Sequence, residues 1–196
     1  MSTSYARTET LVGAVAAPLD AARSVALVVA FSLLVALAAQ VVIPLPWTPV
    51  PLTGQTFAVL LAGALLGSRL GALALLAYLA EGALGLPFFR GGAAGAQHFL
   101  SPTAGYLLAF PAAAFLTGLL AERGWDRRPA TAAAAMALGS AVILASGWAW
   151  LAASTGSPAA AFRLGVAPFL AGDAIKIALA AAALPLGWSL LRRRKN

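Results

Sequence analysis

The sequence predicts an all-α integral membrane protein, a six-transmembrane-helix bundle with N- and C-termini cytoplasmic. Three observations predict it. Of the 196 residues, 61% are hydrophobic and 10% charged, with a mean hydropathy of +0.89; soluble domains carry about 25% charged residues. Apolar stretches near spanning length recur six times, at about 22–43, 53–67, 69–86, 103–121, 130–152 and 165–190. The basic residues are also asymmetric. A cytoplasmic N-terminus puts Arg7, Arg23, Arg69, Arg123, Arg127, Arg128, Arg192, Arg193, Arg194 and Lys195 inside and only Arg90 and Arg163 outside, which is the positive-inside pattern.

Residues 1–21 read as an N-terminal tail or interfacial segment. Leu11–Ala17 has the length of a signal-peptide core, but Pro18 and Asp20 end it and a full-length apolar segment follows at once. Residues 22–191 read as a six-helix transmembrane domain, expected from the residues discussed below to bind substrate, and 192–196 as a basic cytoplasmic tail. After the first span, Pro44, Pro46, Pro49 and Pro51 stiffen an uncharged outer loop. The second and third spans are short and joined only by Gly67-Ser68-Arg69, which predicts a tight hairpin. The next outer loop, 87–102, contains Gly91-Gly92-Ala93-Ala94-Gly95, which permits unusual φ and close backbone approach. The third outer loop covers 153–164. Stiff or glycine-rich apolar loops can cap a cavity, so a cavity in this bundle is expected to open outward.

Several chemistries are excluded. There is no cysteine, hence no disulfide, thiolate site or thiol nucleophile. His98 is the only histidine and has no carboxylate cluster around it in sequence, so a metal site is not expected. Ser101 is three residues away, with no third partner for a hydrolase triad. No P-loop is present, so ATP hydrolysis would have to come from a partner. The basic residues flank apolar segments and form no soluble patch, which argues against nucleic acid. No resident cofactor and no enzymatic activity are expected.

Asp173 and Lys176 interrupt the sixth apolar stretch. A charge at the centre of a spanning helix costs about 2.5–3.5 kcal/mol on insertion scales, so such residues default to a functional reading. At i, i+3 they share one face. Entry at residue 165 would place Asp173 roughly 12 Å deep at 1.5 Å per residue. The pair suits a small molecule with a carboxylate for Lys176 and N–H donors for Asp173; a purely structural ion pair is the competing reading. Arg90, in the outer glycine-rich loop, can reach a ligand carboxylate or simply be solvated. Glu81 can face the same cavity, pair with Arg90 or Lys176, or snorkel to the interface. Thr53 and Gln55 can cap the second span or line the cavity mouth. Tyr106 belongs to a set of outer aromatics able to stack on a flat ligand or to anchor the interface. Ala22, Ala26 and Ala30 form a small-residue face on the first span, suited to close helix approach.

Three blocks, in this order and spacing, resemble one family. They are Thr48-Pro49-Val50-Pro51-Leu52-Thr53-Gly54-Gln55 running on to Gly71; Gly85-Leu86-Pro87-Phe88-Phe89 with Gly91-Gly92 and Ser101-Pro102-Thr103-Ala104-Gly105-Tyr106; and Pro168-Phe169-Leu170-Ala171-Gly172-Asp173-Ala174-Ile175-Lys176. Together they resemble BioY, the biotin-binding S-component of energy-coupling factor (ECF) transporters. Ala104 stands where that family usually has a glycine, and Glu81 is more polar than expected there. The resemblance implies high-affinity binding of biotin from outside by Asp173 and Lys176, in the plasma membrane of a prokaryote. It implies as partners a transmembrane T-component and two ATPase subunits, docked through the face of Ala22, Ala26 and Ala30, with membrane lipid around the bundle. An S-component for another vitamin, or an autonomous secondary carrier of a small carboxylate, are the alternative readings.

Overall fold

The computed structural model describes residues 10–16 and 20–195. The predicted N-terminal segment therefore lies partly outside the described residues. Its described part is a short helix, α1 (Leu11–Ala16), whose Leu11 lies over Gly187. α2 (Ala21–Gln40) starts where the Asp20 side chain accepts a hydrogen bond from the Arg23 amide, 2.7 Å. That bond satisfies one of the amides a helix start leaves open. Two short strands, β1 (Val42–Ile43) and β2 (Leu52–Thr53), pair antiparallel and close the proline-rich loop into a ribbon. This ribbon is the one departure from all-α structure among the described residues.

α3 (Gln55–Leu66) and α4 (Ser68–Ala83) form the predicted hairpin. The turn needs Gly67, whose φ is +89°. The amide and hydroxyl of Ser68 donate to Glu122 at 2.7 and 2.8 Å, which covers the start of α4. α5 (Ala104–Ala121) follows, then α6 (Pro129–Thr155), α7 (Pro158–Gly165) and α8 (Leu170–Lys195). Six of these helices have twelve residues or more. By length and composition, Ala21–Gln40, Ala104–Ala121, Pro129–Thr155 and the stretch Pro158–Arg193 can cross a membrane. α3 has 12 residues, roughly 18 Å of helix, short of a hydrocarbon core of about 30 Å.

α5 is the central helix, 67% buried, whereas the α2 span is only 17% buried. Glycine permits the closest approach between α3 and α5: a side chain at Gly63 would overlap the Ala114 carbonyl and the Thr117 hydroxyl. Such small-residue contacts let membrane helices pack on backbone. The two ends of the bundle are distinct. Leu11, Leu27, Leu65, Leu191 and Arg193 meet around one groove, so the start of α2 and the ends of α3 and α8 share one end. The starts of α3, α5 and α8 meet at the opposite end, beneath the ribbon and the 87–102 loop.

One prediction is corrected. The sixth stretch is not a continuous helix from residue 165. α7 packs back against α6, a 3₁₀ turn (Ala167–Phe169) follows, and α8 begins only at Leu170. Asp173 is therefore in the first turn of α8. It is nevertheless deep, because it is bonded to Ser140, eleven residues into the 27-residue α6. Its depth comes from the re-entry of the chain at α7, not from eight residues of preceding helix.

Candidate functional site

The described residues enclose a cavity at the end opposite the apolar groove around Leu11, Leu27 and Leu65. About 640 Å³ of non-atom space, open solvent at its mouth included, lies between its walls. Val50, Pro51 and Thr53 of the ribbon and Gln55 and Thr56 of α3 form one side. Phe89, Arg90, His98 and Thr103 come from the loop between α4 and α5. Tyr106, Leu107 and Phe110 of α5, Ile143 and Leu144 of α6, and Phe169, Asp173 and Lys176 complete the wall. Most of this surface is apolar or aromatic, with a few polar groups converging on it.

The charged pair sits in a polar chain that crosses three helices. Ser140 of α6 bonds to Asp173 Oδ2. Asp173 Oδ1 faces Lys176 Nζ at 3.7 Å, an ion-pair distance longer than a hydrogen bond. Lys176 Nζ donates to the Thr53 carbonyl at 3.0 Å and to the Thr56 hydroxyl at 2.7 Å. Two of its three N–H groups are thus used, one on β2 and one on α3, and Asp173 Oδ1 retains acceptor capacity toward the cavity. Asp173 is buried and Lys176 half-buried.

Gln55 is buried and oriented by its own network. Its amide N–H donates to the Tyr78 hydroxyl, which donates to the Phe88 carbonyl at 3.2 Å, and Thr53 Oγ1 donates to Gln55 Oε1 at 3.2 Å. Tyr106 presents its ring to the cavity, 6.2 Å from the Phe169 ring, while its hydroxyl donates to the Gly165 carbonyl at 2.7 Å. Glycines make room for it, since a Cβ at Gly147 or Gly165 would overlap the tyrosine. Arg90 reaches the cavity from a 3₁₀ turn, and its guanidinium has no hydrogen bond or ion pair among the described residues.

Of the residues singled out from sequence, Gln55, Arg90, Tyr106, Asp173 and Lys176 line this one cavity. Glu81 does not. It is half-buried on α4, and its Oε2 is buried without a partner among the described residues. Ala22, Ala26 and Ala30 lie together on the exposed face of α2, away from the cavity. Sequence reasoning missed Thr56, Ser140 and Phe110, and it set His98 aside. Ser140 carried a usable signal, a hydroxyl in an otherwise alanine-rich span, where polar groups need partners. Phe110 carried none, since a phenylalanine in an apolar helix is ordinary.

The BioY family model matches residues 7–193. The chain is 44% identical to a probable biotin transporter BioY of Pyrococcus horikoshii over 159 residues, which is 81% of this chain and 92% of that protein. It is 38% identical to the biotin transporter BioY of Rhizobium etli over 173 residues, 83% of this chain and 92% of that protein. Its fold is similar to the crystal structure of the S-component for biotin from an ECF-type ABC transporter. The TM-score is 0.73 at 25% identity, covering 89% of this chain and 92% of that one. With near-complete coverage by the family model and relatives of this identity, the chain belongs to the BioY family.

Proposed function

We propose that this chain is a biotin-uptake subunit: a membrane-embedded S-component, not an enzyme, that takes biotin from the extracellular side into the cavity above Asp173 and Lys176. The observation that carries the reading is the division of polar groups in that cavity. Biotin has a ureido ring, an apolar chain and a carboxylate. The ureido ring offers N–H donors and a carbonyl. Asp173 Oδ1 is free to accept an N–H, and the remaining N–H of Lys176 can donate to the carbonyl. Phe169, Tyr106 and Phe110 offer apolar surface for the rings and chain. Arg90, with no partner among the described residues, is the cation proposed for the carboxylate.

This division differs from the one read in the sequence, which gave the carboxylate to Lys176. The bonds of Lys176 to Thr53 and Thr56 support the change. Cytoplasmic termini follow from the arginines, and the cavity then opens outward, in a bundle of six membrane-crossing segments in a prokaryotic plasma membrane. An ECF T-component and two ATPases would supply the energy, docked on the Ala22, Ala26 and Ala30 face of α2.

Equilibrium binding to the purified protein tests the reading. Biotin should bind tightly, and Asp173→Asn and Arg90→Ala should each weaken it by about ten- to hundredfold, the range for hydrogen bonds to a charged group. Retention of another vitamin with indifference to biotin would reassign the substrate. Biotin uptake in cells lacking every ECF T-component and ATPase would favour an autonomous carrier.

A further inference from the structure

We propose that His98 is a second donor to the ligand carboxylate, acting beside Arg90. The inference rests on the biotin reading above and adds a residue that its sequence context left without a role. His98 sits in a 3₁₀ turn (Ala96–Leu100) and lines the same cavity as Arg90. Its backbone is fixed on both sides. The His98 amide donates to the Gly95 carbonyl at 3.2 Å, and its own carbonyl accepts from the Ser101 amide at 3.2 Å and the Ser101 hydroxyl at 2.7 Å. The turn is in turn tied to the bundle: the Gly95 amide donates to Gly82 of α4 at 2.8 Å, and Trp150 of α6 donates to the Ser101 carbonyl at 3.0 Å.

The imidazole is held against the Phe89 ring, edge to face, with centroids 5.5 Å apart. Phe89 itself is 1% exposed and does not move aside easily. Yet neither ring nitrogen of His98 has a hydrogen-bond partner among the described residues. Packing on Phe89 would be served by any aromatic ring. What imidazole adds is a directed N–H, placed by a rigid turn on the wall that also carries Arg90. An anionic end group is the ligand feature that uses both. A neutral imidazole contributes one N–H and an imidazolium two, so the residue can assist a carboxylate in either state.

The test compares His98→Phe and His98→Gln, using biotin and biotin amide as probes. Phenylalanine keeps the ring contact with Phe89 and removes the donor; glutamine restores an N–H. The expected result is that His98→Phe weakens biotin by about five- to tenfold, a loss at the lower end of charge-assisted bonds, and changes biotin amide by less than about twofold. His98→Gln should recover part of the biotin affinity. If His98→Phe binds biotin like the wild type, or weakens acid and amide equally, His98 is only a packing residue. Failure of the wild type to bind biotin at all would instead overturn the functional reading, which keeps the two apart.

Discussion

Lys176 shows how a costly residue is made tolerable inside an apolar bundle. Its ammonium is surrounded by the Thr53 carbonyl, the Thr56 hydroxyl and the Asp173 carboxylate. Replacing it with methionine keeps most of the aliphatic volume but leaves Asp173 without its cation and Thr53 and Thr56 without a donor. Removing one partner of a fully buried pair costs about 3–5 kcal/mol. Here the lysine and aspartate side chains keep 21% and 12% exposure, so Lys176→Met is expected to cost on the order of 2 kcal/mol. In thermal unfolding of ligand-free protein that is a fall in Tm of about 5 °C, accompanied by loss of biotin binding. Thr56→Val, which removes one acceptor only, should cost about 1 kcal/mol. An unchanged Tm in Lys176→Met would mean that the ammonium stabilises the ligand but not the fold.

At the scale of elements, the turn between α5 and α6 has its own buried charge. Asp126, 1% exposed, accepts from Trp188 of α8 at 2.6 Å, and the Arg127 guanidinium lies 4.5 Å from the Trp188 ring centroid. Burial raises the Asp126 carboxyl above its ordinary value of 3.8, and the Trp188 bond and Arg127 only partly offset this. A raised carboxyl is most favourable to the fold when protonated. Its contribution is therefore full below 3.8 and is lost as pH rises through the higher folded value. Asp126→Asn keeps an acceptor for Trp188 and removes the charge. Its Tm is expected to fall less than that of the wild type as pH rises across this window; parallel curves would count against the account. None of this was legible in the sequence, where Asp126 reads as one charge in a basic loop. The first, fourth and fifth spans were legible, because hydropathy runs unbroken over them. The start of α8 was not, because Gly165-Val166-Ala167-Pro168 is apolar and hides a chain reversal within a continuous hydrophobic stretch. In the cavity, Asp173 and Lys176 were visible because charge is expensive in lipid. Thr56 was not, since a small hydroxyl barely alters hydropathy; Ser140 carried a signal as a hydroxyl in an alanine-rich span, but its partner depends on what a distant helix brings to it.

At the scale of the whole molecule, the proposed binding cavity and the proposed docking face lie apart. No residue of α2 lines the cavity, and α2 packs on α4 and α3 while leaving most of its surface uncovered. Ala22, Ala26 and Ala30 are all exposed there, spaced four apart on one face, the arrangement that admits a partner helix to near backbone distance. A bulky side chain on that face holds a partner helix away without touching the ligand. Ala26→Trp and Ala30→Leu are therefore expected to leave biotin affinity within about twofold of the wild type, since surface changes away from a site cost within roughly 0.5 kcal/mol. Over the same substitutions, co-purification with the T-component and ATPases should fall at least about tenfold, because a close-packed helix contact tolerates overpacking poorly. Biotin uptake into cells should fall with it. Measuring affinity, complex yield and uptake on the same variants distinguishes the possibilities. If affinity falls together with uptake, α2 is coupled to the cavity through α3 and α4. If complex yield and uptake both stay intact, the module docks elsewhere, and the exposed alanine face only packs against lipid.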